Sequence, residues 1–331
     1  MTEKLKQDIQ KELAFLLPGY GFSEDTTISW LAESENQVFL IKDPAKSDSY
    51  VARVNSGRLV YHTQQMIESE MVWLQALEKH PNVTVPVVLV DNQGKTVHSL
   101  NVASSENTRF VSVYSFLPGT EMPEDNLHSV FQTLGKVTSA LNDHSKTWIT
   151  PEGFQRPEWT VRSNLEDQNE WGSWENGVNV KEDALRLLKT VEATIYLRSE
   201  QFPTDHANFG LIHADLRTTN VLVDGVDLAI IDFDDCGYGW YIFELASALS
   251  FMEERPDVED LVNRWLAGYR EQGSISEDLI EEFPTFMMLR RLLLLGWVGY
   301  QQKNLEFARE IGEQFTIDTC KLATKYLKRF S

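Results

Sequence analysis

The side chains best suited to chemistry lie between positions 213 and 232, in the run HADLRTTNVLVDGVDLAIID. Asp215 and Asn220 stand five residues apart there, and Asp232 follows two short β-rich runs, VLV and LAII. An Asp-Gly pair between these runs is typical of a tight turn, so the runs are predicted to form a β-hairpin. Because a hairpin returns the chain to its starting edge, Asn220 and Asp232 are predicted to lie close together.

The residue types in this run favour metal-assisted phosphoryl transfer. An amide oxygen from Asn220 and a carboxylate from Asp232 are ligands that a hard cation such as Mg²⁺ prefers. Asp215, just upstream, is then placed to orient a hydroxyl and accept its proton. Positioning and charge neutralisation supply most of the catalysis in phosphoryl transfer, and these three residues are the parts that it needs.

Two motifs in this stretch resemble those of a known group of kinases. HADLRTTN fits H-x-D-x-x-x-x-N, the catalytic loop of protein kinases and of the aminoglycoside phosphotransferase/choline kinase group, and IDFDD resembles the metal-binding D-F-G segment. The irregular, tryptophan-rich segments WITPEGFQRPEWT and WGSWEN resemble those of homoserine kinase-like and stress-response-kinase-like members. The resemblance implies an enzyme that uses ATP and Mg²⁺, with Asp215 as catalytic residue and Asn220 and Asp232 as metal ligands.

The resemblance also assigns places to two neighbours of Asp215. His213 is expected to be structural, because in the resembled loop this histidine packs beneath the metal-binding segment. Arg217 lies where related kinases carry a cation, which stabilises charge on the transferring group. The alternative for Arg217 is an ion pair with Asp234 or Asp235 across the hairpin.

The fold implied by the resemblance is α+β and bilobal, like that of protein kinases. Residues 1–117 are expected to form an N-lobe of antiparallel sheet with one main helix, and residues 118–331 a larger, mainly helical C-lobe. Hydrophobic periodicity agrees with this division. It predicts helices over 3–17, 60–79, 125–145, 181–200, 257–271, 276–303 and 304–329, strands in TTISWLA, QVFLIKD, SYVARVN and FVSVYSF, and a hairpin that joins PVVLV to KTVHSLNVA.

Several N-lobe residues are expected to bind the nucleotide. Arg53, in the third strand, occupies the position of the phosphate-binding lysine of protein kinases, and Glu70 of the 60–79 helix is expected to orient it. The polar turn between the first two strands lacks the glycine-rich motif, so backbone N–H groups near Ser34 and Asn36 are expected to contact phosphate instead.

The strand FVSVYSF, which runs into Leu-Pro-Gly, resembles the last N-lobe strand and the hinge. Tyr114 then takes the gatekeeper position, and the backbone of Ser115 and Leu117 is expected to bind the adenine edge. In the C-lobe, Glu244 falls where the group most often carries an aspartate that braces the catalytic loop. Arg290 and Arg291 lie in the apolar helix FMMLRRLLLLGWVGY and are expected to form internal ion pairs.

Composition excludes several classes of function. The 331 residues carry a formal net charge of -20, which argues against a nucleic-acid partner, since phosphate backbones are bound by basic patches. The apolar run at 292–300 is too short to span a membrane, which takes about 20 residues. Two cysteines and a charged, amphipathic N-terminus suit a cytoplasmic protein. Nothing in the sequence indicates the oligomeric state.

The acceptor is the least determined part of the prediction. Asp234, Asp235, Tyr238 and Trp240 are candidates to hold a cationic amine through charge and cation–π contacts. The expected acceptor is a hydroxyl-bearing small molecule: an amino alcohol, a hydroxy amino acid or an aminoglycoside-like compound. A Ser/Thr protein kinase of the stress-response type and a nucleotide-binding regulator with little catalysis remain as alternatives.

Overall fold

The computed structural model describes residues 2–33, 36–55, 62–105, 107–122, 126–166, 169, 171–225 and 227–330, which fall into two compact units. The first unit comprises Met1–Gly119, Ile149–Arg156 and Ala229–Asp234. The second comprises Thr120–Trp148, Pro157–Leu228 and Asp235–Ser331. The boundary expected after residue 117 lies near the end of the first unit's main stretch, and two later segments join that unit as well.

The first unit is built on an antiparallel sheet whose strand order is β1-β2-β3-β5-β4. The predicted helix 3–17 and the first three strands are confirmed, and the described part of the 60–79 helix begins at its Thr63 N-cap, whose side chain accepts from Met66 N. The elements are α1 (Glu3–Leu16), β1 (Thr27–Glu33), β2 (Gln37–Lys42), β3 (Ser49–Val54), α2 (Gln64–Leu77), β4 (Val97–Leu100) and β5 (Arg109–Ser115).

Strand β3 sends alternate side chains to opposite faces of this sheet. Ala52 and Val54 are fully buried in a hydrophobic core that also contains Ile9 and Leu13 of α1. Because side chains alternate along a strand, Arg53 lies on the other face, where it reaches α2. The sequence pattern of β3 thus places one guanidinium on the face opposite the α1 core.

The predicted hairpin between PVVLV and KTVHSLNVA is wrong beyond its turn. Asp91 N donates to Lys95 O at 2.9 Å, but β4 pairs with β5 rather than with 86–90. Pro86 lacks an N–H, and the residues after it bond to β5 instead: Leu89 N donates to Val113 O and Ser115 N to Val87 O. The segment therefore follows β5 irregularly and makes only an isolated bridge, Val88 to Tyr114.

The second unit is mainly helical and carries two small sheets, with strand orders β10-β9-β6 and β7-β11-β8. The hairpin expected between VLV and LAII is confirmed as the pair β9–β10. The last two residues of β10 belong to the first unit. The elements are β6 (Thr120–Glu121), α3 (Leu127–Thr147), β7 (Glu158–Trp159), α4 (Val161–Leu165), α5 (Glu182–Ser199), β8 (Phe209–Ile212), β9 (Val221–Asp224), β10 (Asp227–Ile230), β11 (Gly237–Trp240), α6 (Phe243–Ala248), α7 (Val258–Tyr269), α8 (Glu277–Glu281), α9 (Phe283–Gln301) and α10 (Glu306–Phe330).

The predicted single helix over 276–303 is two helices, α8 and α9. The break falls at Glu282, and Pro284 lies in the first turn of α9. Proline has no backbone N–H to continue a preceding helix, but it is favoured at a helix start. Fifteen of the 19 residues of α9 are buried, so any charged side chain on it must find partners inside the unit. Of the helices that the structure describes, none is both long and apolar enough to cross a membrane.

Helices α3 and α7 approach each other closely through two glycines. A Cβ atom added at Gly135 would collide with the backbone carbonyl of Trp265, and one at Gly268 with that of Gln132. Gly268→Ala is therefore expected to separate the helices and to destabilise the second unit by about 1–3 kcal/mol, as overpacking does. Thermal melting measures this loss, and Gly19→Ala, which meets nothing within 4 Å, is the matched control. Equal melting temperatures for the two variants would contradict the close approach.

Candidate active site

In the loop 213–220, Asp215 contacts both Asn220 and His213. Asn220 Nδ2 donates to the backbone oxygen and to Oδ2 of Asp215, both at 2.8 Å. Asp215 N lies 3.3 Å from Nδ1 of His213, which is fully buried. Since both Asp215 oxygens are acceptors, the amide nitrogen of Asn220 must face them, which directs Oδ1 of Asn220 to the opposite side. No hydrogen bond within the described residues engages that oxygen.

Two arginines flank the Asp215 carboxylate. Arg217 Nε lies 3.2 Å from Oδ2, and Arg290 Nη2 lies 2.5 Å from Oδ1. Burial would raise the pKa of Asp215, but Arg217 and Arg290 outweigh it and hold the pKa below its usual range. The carboxylate is thus kept ionised, which a proton acceptor requires. In this structure Arg217 pairs with Asp215.

Glu244 holds the loop from α6. Its Oε1 accepts from His213 N at 2.6 Å and its Oε2 from Ala214 N at 3.2 Å. Ala214 has a φ of 67°, a left-handed conformation that costs a non-glycine residue energy and persists only when its surroundings impose it. Burial raises the pKa of Glu244 to about 7 despite the two N–H donors. A glutamate therefore makes the loop contacts expected of the usual aspartate at this position.

In the first unit, Arg53 and Glu70 form a buried, two-pronged ion pair. Arg53 Nη1 donates to Oε1 at 2.7 Å and Nη2 to Oε2 at 2.5 Å. Burial alone would lower the pKa of Arg53, but Glu70, Tyr114 and Asp234 hold it well above its usual value. The guanidinium is permanently charged, and the two parallel hydrogen bonds fix its plane.

Asp232, within the segment 229–234, has an unusual backbone conformation. Its φ is 63°, in the left-handed region that aspartate tolerates better than most residues. Its side chain is 37% exposed, and Oδ1 lies 3.7 Å from Arg53 Nη1. Of the two acids of this segment, Asp232 is the one whose carboxylate is accessible from solvent.

Asp234 lies at the centre of a buried polar cluster that we call the Asp234 cluster, with Asn36, Asn55 and His62. Asn36 Nδ2 and His62 Nε2 lie 2.7 and 2.8 Å from Oδ2, and Asn55 Nδ2 lies 3.0 Å from Oδ1. Burial would raise the pKa of Asp234, but His62 and Arg53 hold it far below its usual range. Both oxygens are engaged, which does not support the acceptor contact expected for Asp234.

Further contacts hold the segment 229–234 within the first unit. Ile230 N donates to Thr84 O at 2.9 Å, and the Phe233 ring meets Trp73 of α2 edge-on. Arg156 donates to the backbone oxygens of Met66 and Asp234. This segment comes late in the chain, yet its contacts explain why it belongs to the unit that carries Arg53.

The expected nucleotide contacts along the backbone are only partly visible. Ser34 lies outside the described residues, and the side chain of Asn36 is engaged in the Asp234 cluster. At the hinge, Ser115 N donates to Val87 O and Phe116 N to Ser49 O, whereas no hydrogen bond in the described part of the chain uses Leu117 N. Leu117 therefore has the backbone donor that is open to a ligand.

The remaining acceptor candidates differ in exposure. Trp240 is buried, donates from Nε1 to Pro203 O and packs against Phe202, Phe209 and Phe286. This is a core position, which does not support the acceptor contact expected of it. Asp235 is buried, and its backbone oxygen accepts from Trp159 Nε1, while Tyr238 is half-buried in β11.

Sequence reasoning missed the distant partners of this site. Arg290 was expected in an ion pair, but nothing pointed to Asp215, 75 positions away. The sequence feature that indicated an ion pair was the position of Arg290 in an apolar helix, because a buried charge is costly unless it is paired. His62, Asn55 and Ser247 were not predicted at all, and no spacing pattern links them to the motifs.

Comparison with known proteins places this geometry in context. The model of the phosphotransferase enzyme family (APH) matches residues 29–277. The structure of a microcompartment-associated aminopropanol kinase is 32% identical, with a TM-score of 0.86 over 96% of this chain and 97% of its own. An amicoumacin kinase solved with AMP-PNP, Ca²⁺ and Ami is 22% identical, with a TM-score of 0.78 over 97% and 96%. The amicoumacin kinase of Bacillus subtilis (strain 168) is 24% identical over 299 residues, 87% of this chain and 84% of the relative. These likenesses confirm the predicted α+β, protein-kinase-like fold.

Proposed function

The chain belongs to the phosphotransferase enzyme family (APH), and we propose that its phosphate acceptor is a small amino alcohol. It is a kinase that transfers phosphate from ATP to the hydroxyl of a small molecule. The observation that carries the amino-alcohol proposal is the likeness to an aminopropanol kinase at 32% identity over 96% of this chain. The amicoumacin kinases, which are less similar, support the wider class of small-molecule acceptors.

Asp215 acts as the proton acceptor in this proposal. Its carboxylate is ionised, 13% exposed and held by Asn220 and two arginines, so it is oriented before the acceptor arrives. The acceptor hydroxyl gives its proton to Asp215 as its oxygen forms a bond to the γ-phosphorus and the bond from that phosphorus to ADP breaks. Arg217 supplies positive charge beside the transferring group.

Asn220 and Asp232 are the residues that would hold Mg²⁺. Each residue suits the ion by its own chemistry: Asn220 Oδ1 faces away from Asp215, and the Asp232 carboxylate is solvent-accessible. No cluster of three or more His, Cys, Asp or Glu side chains suited to a metal occurs among the described residues. Proteins bind Mg²⁺ with one or two carboxylates, while water and substrate phosphates complete the shell. When bound, Mg²⁺ neutralises charge on the nucleotide phosphates.

Arg53, Glu70 and the hinge complete the nucleotide site in this proposal. Arg53 contacts the phosphates, and Glu70 holds its guanidinium plane in place. Leu117 N and the backbone of Ser115 contact the adenine edge. The backbone near Ser34 and Asn36 contacts phosphate. Asp235 and Tyr238 stay proposals for acceptor contact.

A placement beside the homoserine kinase-like and stress-response-kinase-like members remains a narrower proposal. Its support is the irregular tryptophan-rich stretch of residues 148–176, and it would favour a hydroxy amino acid or a protein Ser/Thr acceptor. None of the three relatives described above carries such an activity in its name. The acceptor experiment therefore has to include these compounds.

The proposal is tested by measuring ADP release from Mg-ATP with 1-amino-2-propanol, ethanolamine, homoserine, an aminoglycoside and a generic Ser/Thr protein substrate. An amino alcohol is expected to give the highest kcat/KM, with a phosphorylated product detectable by mass spectrometry. The 1,2-propanediol analogue, which lacks the amine, is the matched control for recognition of the cation. A higher kcat/KM with homoserine or the protein substrate would overturn the amino-alcohol assignment.

A further inference from the structure

Arg290 is buried in the middle of α9, and its donors converge on the catalytic loop. The residue is 1% exposed. Nε donates to Ser250 Oγ at 3.0 Å, Nη1 to Ala214 O at 3.3 Å and Nη2 to Asp215 Oδ1 at 2.5 Å. A buried guanidinium is costly unless it is paired and hydrogen-bonded, and here all three of its nitrogens have partners.

The contact with Asp215 divides the two carboxylate oxygens into different environments. Oδ2 faces both Asn220 Nδ2 at 2.8 Å and Arg217 Nε at 3.2 Å. Among the described residues, Oδ1 has a single hydrogen-bond donor, Arg290. A carboxylate oxygen accepts two hydrogen bonds, so Oδ1 keeps a lone pair for a further donor. The acceptor hydroxyl is such a donor.

The same guanidinium helps to impose the strained backbone that precedes Asp215. Ala214, which has a left-handed backbone, donates from its N–H to Glu244 Oε2. Its carbonyl oxygen accepts from Ser247 Oγ at 3.1 Å and from Arg290 Nη1. Arg290 is therefore the side chain that holds the strained peptide and the catalytic carboxylate together. Glu244 and Ser247 contact the backbone alone.

We propose that Arg290 is a positioning residue for phosphate transfer, which presents Oδ1 of Asp215 to the acceptor hydroxyl. This inference rests on the proposed role of Asp215. Lysine at this position would keep the positive charge but could not bond Ser250, Ala214 and Asp215 together, because it lacks the planar fork. Glutamine would lose both the positive charge and the planar array of N–H donors.

The test compares Arg290→Lys and Arg290→Gln with Arg291→Lys. Arg291 is the adjacent arginine on α9, equally buried, but it pairs with Glu253 and Thr319 instead of the loop. With Mg-ATP and 1-amino-2-propanol, Arg290→Lys is expected to lower kcat about 10–100-fold, as misplacement of a reacting group does. KM for ATP should change little, and Arg290→Gln should lose more kcat than Arg290→Lys. Arg291→Lys should lower the melting temperature while kcat stays near that of the parent.

Equal kcat values for Arg290→Lys and Arg291→Lys, with Asp215→Asn inactive, would overturn the inference alone. An active Asp215→Asn would instead overturn the proposed role of Asp215. If 1-amino-2-propanol did not raise ADP release above the rate without acceptor, the acceptor proposal would fail, and the role of Arg290 would be measured on that acceptor-free ATP hydrolysis. Loss of that hydrolysis in Arg290→Lys but not in Arg291→Lys would support the inference.

Discussion

Asp215→Asn is expected to lower kcat by about 10²–10⁴-fold, the usual contribution of a general base. Asparagine keeps the size of the side chain but removes the negative charge and one acceptor oxygen. Arg290 and Asn220 would then compete for a single oxygen, and the acceptor hydroxyl would lose its proton acceptor. Nucleotide affinity should hardly change, because Asp215 is not among the residues proposed to bind the nucleotide. The measurement is single-turnover transfer from Mg-ATP beside equilibrium binding of AMP-PNP.

The control for this variant is Asp227→Asn, since Asp227 is an exposed acid in β10 of the same hairpin. It should leave both turnover and AMP-PNP affinity unchanged. Undiminished transfer in Asp215→Asn would contradict the proposed proton acceptor. A parallel loss of AMP-PNP affinity and turnover would indicate that the variant had damaged the nucleotide site rather than the chemistry.

The sequence predicted those parts of the site that depend on short spacing. Asn220 reaches Asp215 because five residues of loop and a 3-10 turn bring its amide back to that carboxylate. The pairing of Arg53 with Glu70 followed from strand alternation and from the resemblance, and the structure confirms it at 2.5 and 2.7 Å. Local geometry determines such contacts, so motif spacing carries enough information to predict them.

Contacts between distant elements could not be predicted in this way. Asn36 and Asp234 are 198 positions apart, and Arg290 and Asp215 are 75 apart. Periodicity shows that a side chain is buried but not which buried partner it meets. The sequence therefore indicated that Arg290 needs a partner, while only the folded chain supplies its identity.

Two predictions of secondary structure were wrong where the sequence contains a proline that periodicity ignores. Pro284 interrupts the apolar pattern of 276–303, and the helix breaks there. Pro86 removes a donor from the expected hairpin strand. Asp234 and Trp240 were expected to bind an amine from residue type alone, and that contact stays a prediction. Both side chains are buried and hydrogen-bonded within the protein, which residue type alone does not reveal.

Asp232→Asn is expected to abolish the Mg²⁺ dependence of nucleotide binding. Asparagine tolerates the left-handed backbone at this position, so the substitution removes a charge without adding strain. Loss of an anionic ligand should lower AMP-PNP affinity in Mg²⁺ to the metal-free level and reduce turnover by about 100-fold or more, since charge neutralisation carries much of this chemistry. Titration of AMP-PNP with and without Mg²⁺ measures the effect. Equal affinity in the two conditions for the parent protein would contradict the metal site.

Asp234→Asn, two positions later in the same segment, is the matched control because its carboxylate is buried and engaged. An amide there would turn an N–H₂ group toward Asn36, Asn55 or His62, and Arg53 would lose a neighbouring charge. Breaking a buried charged contact costs about 3–5 kcal/mol, so this variant should lower the melting temperature clearly. Asp232 is 37% exposed, so Asp232→Asn should melt close to the parent. If the two variants were instead equally destabilised, Asp232 would be a second structural acid and the metal would need another ligand.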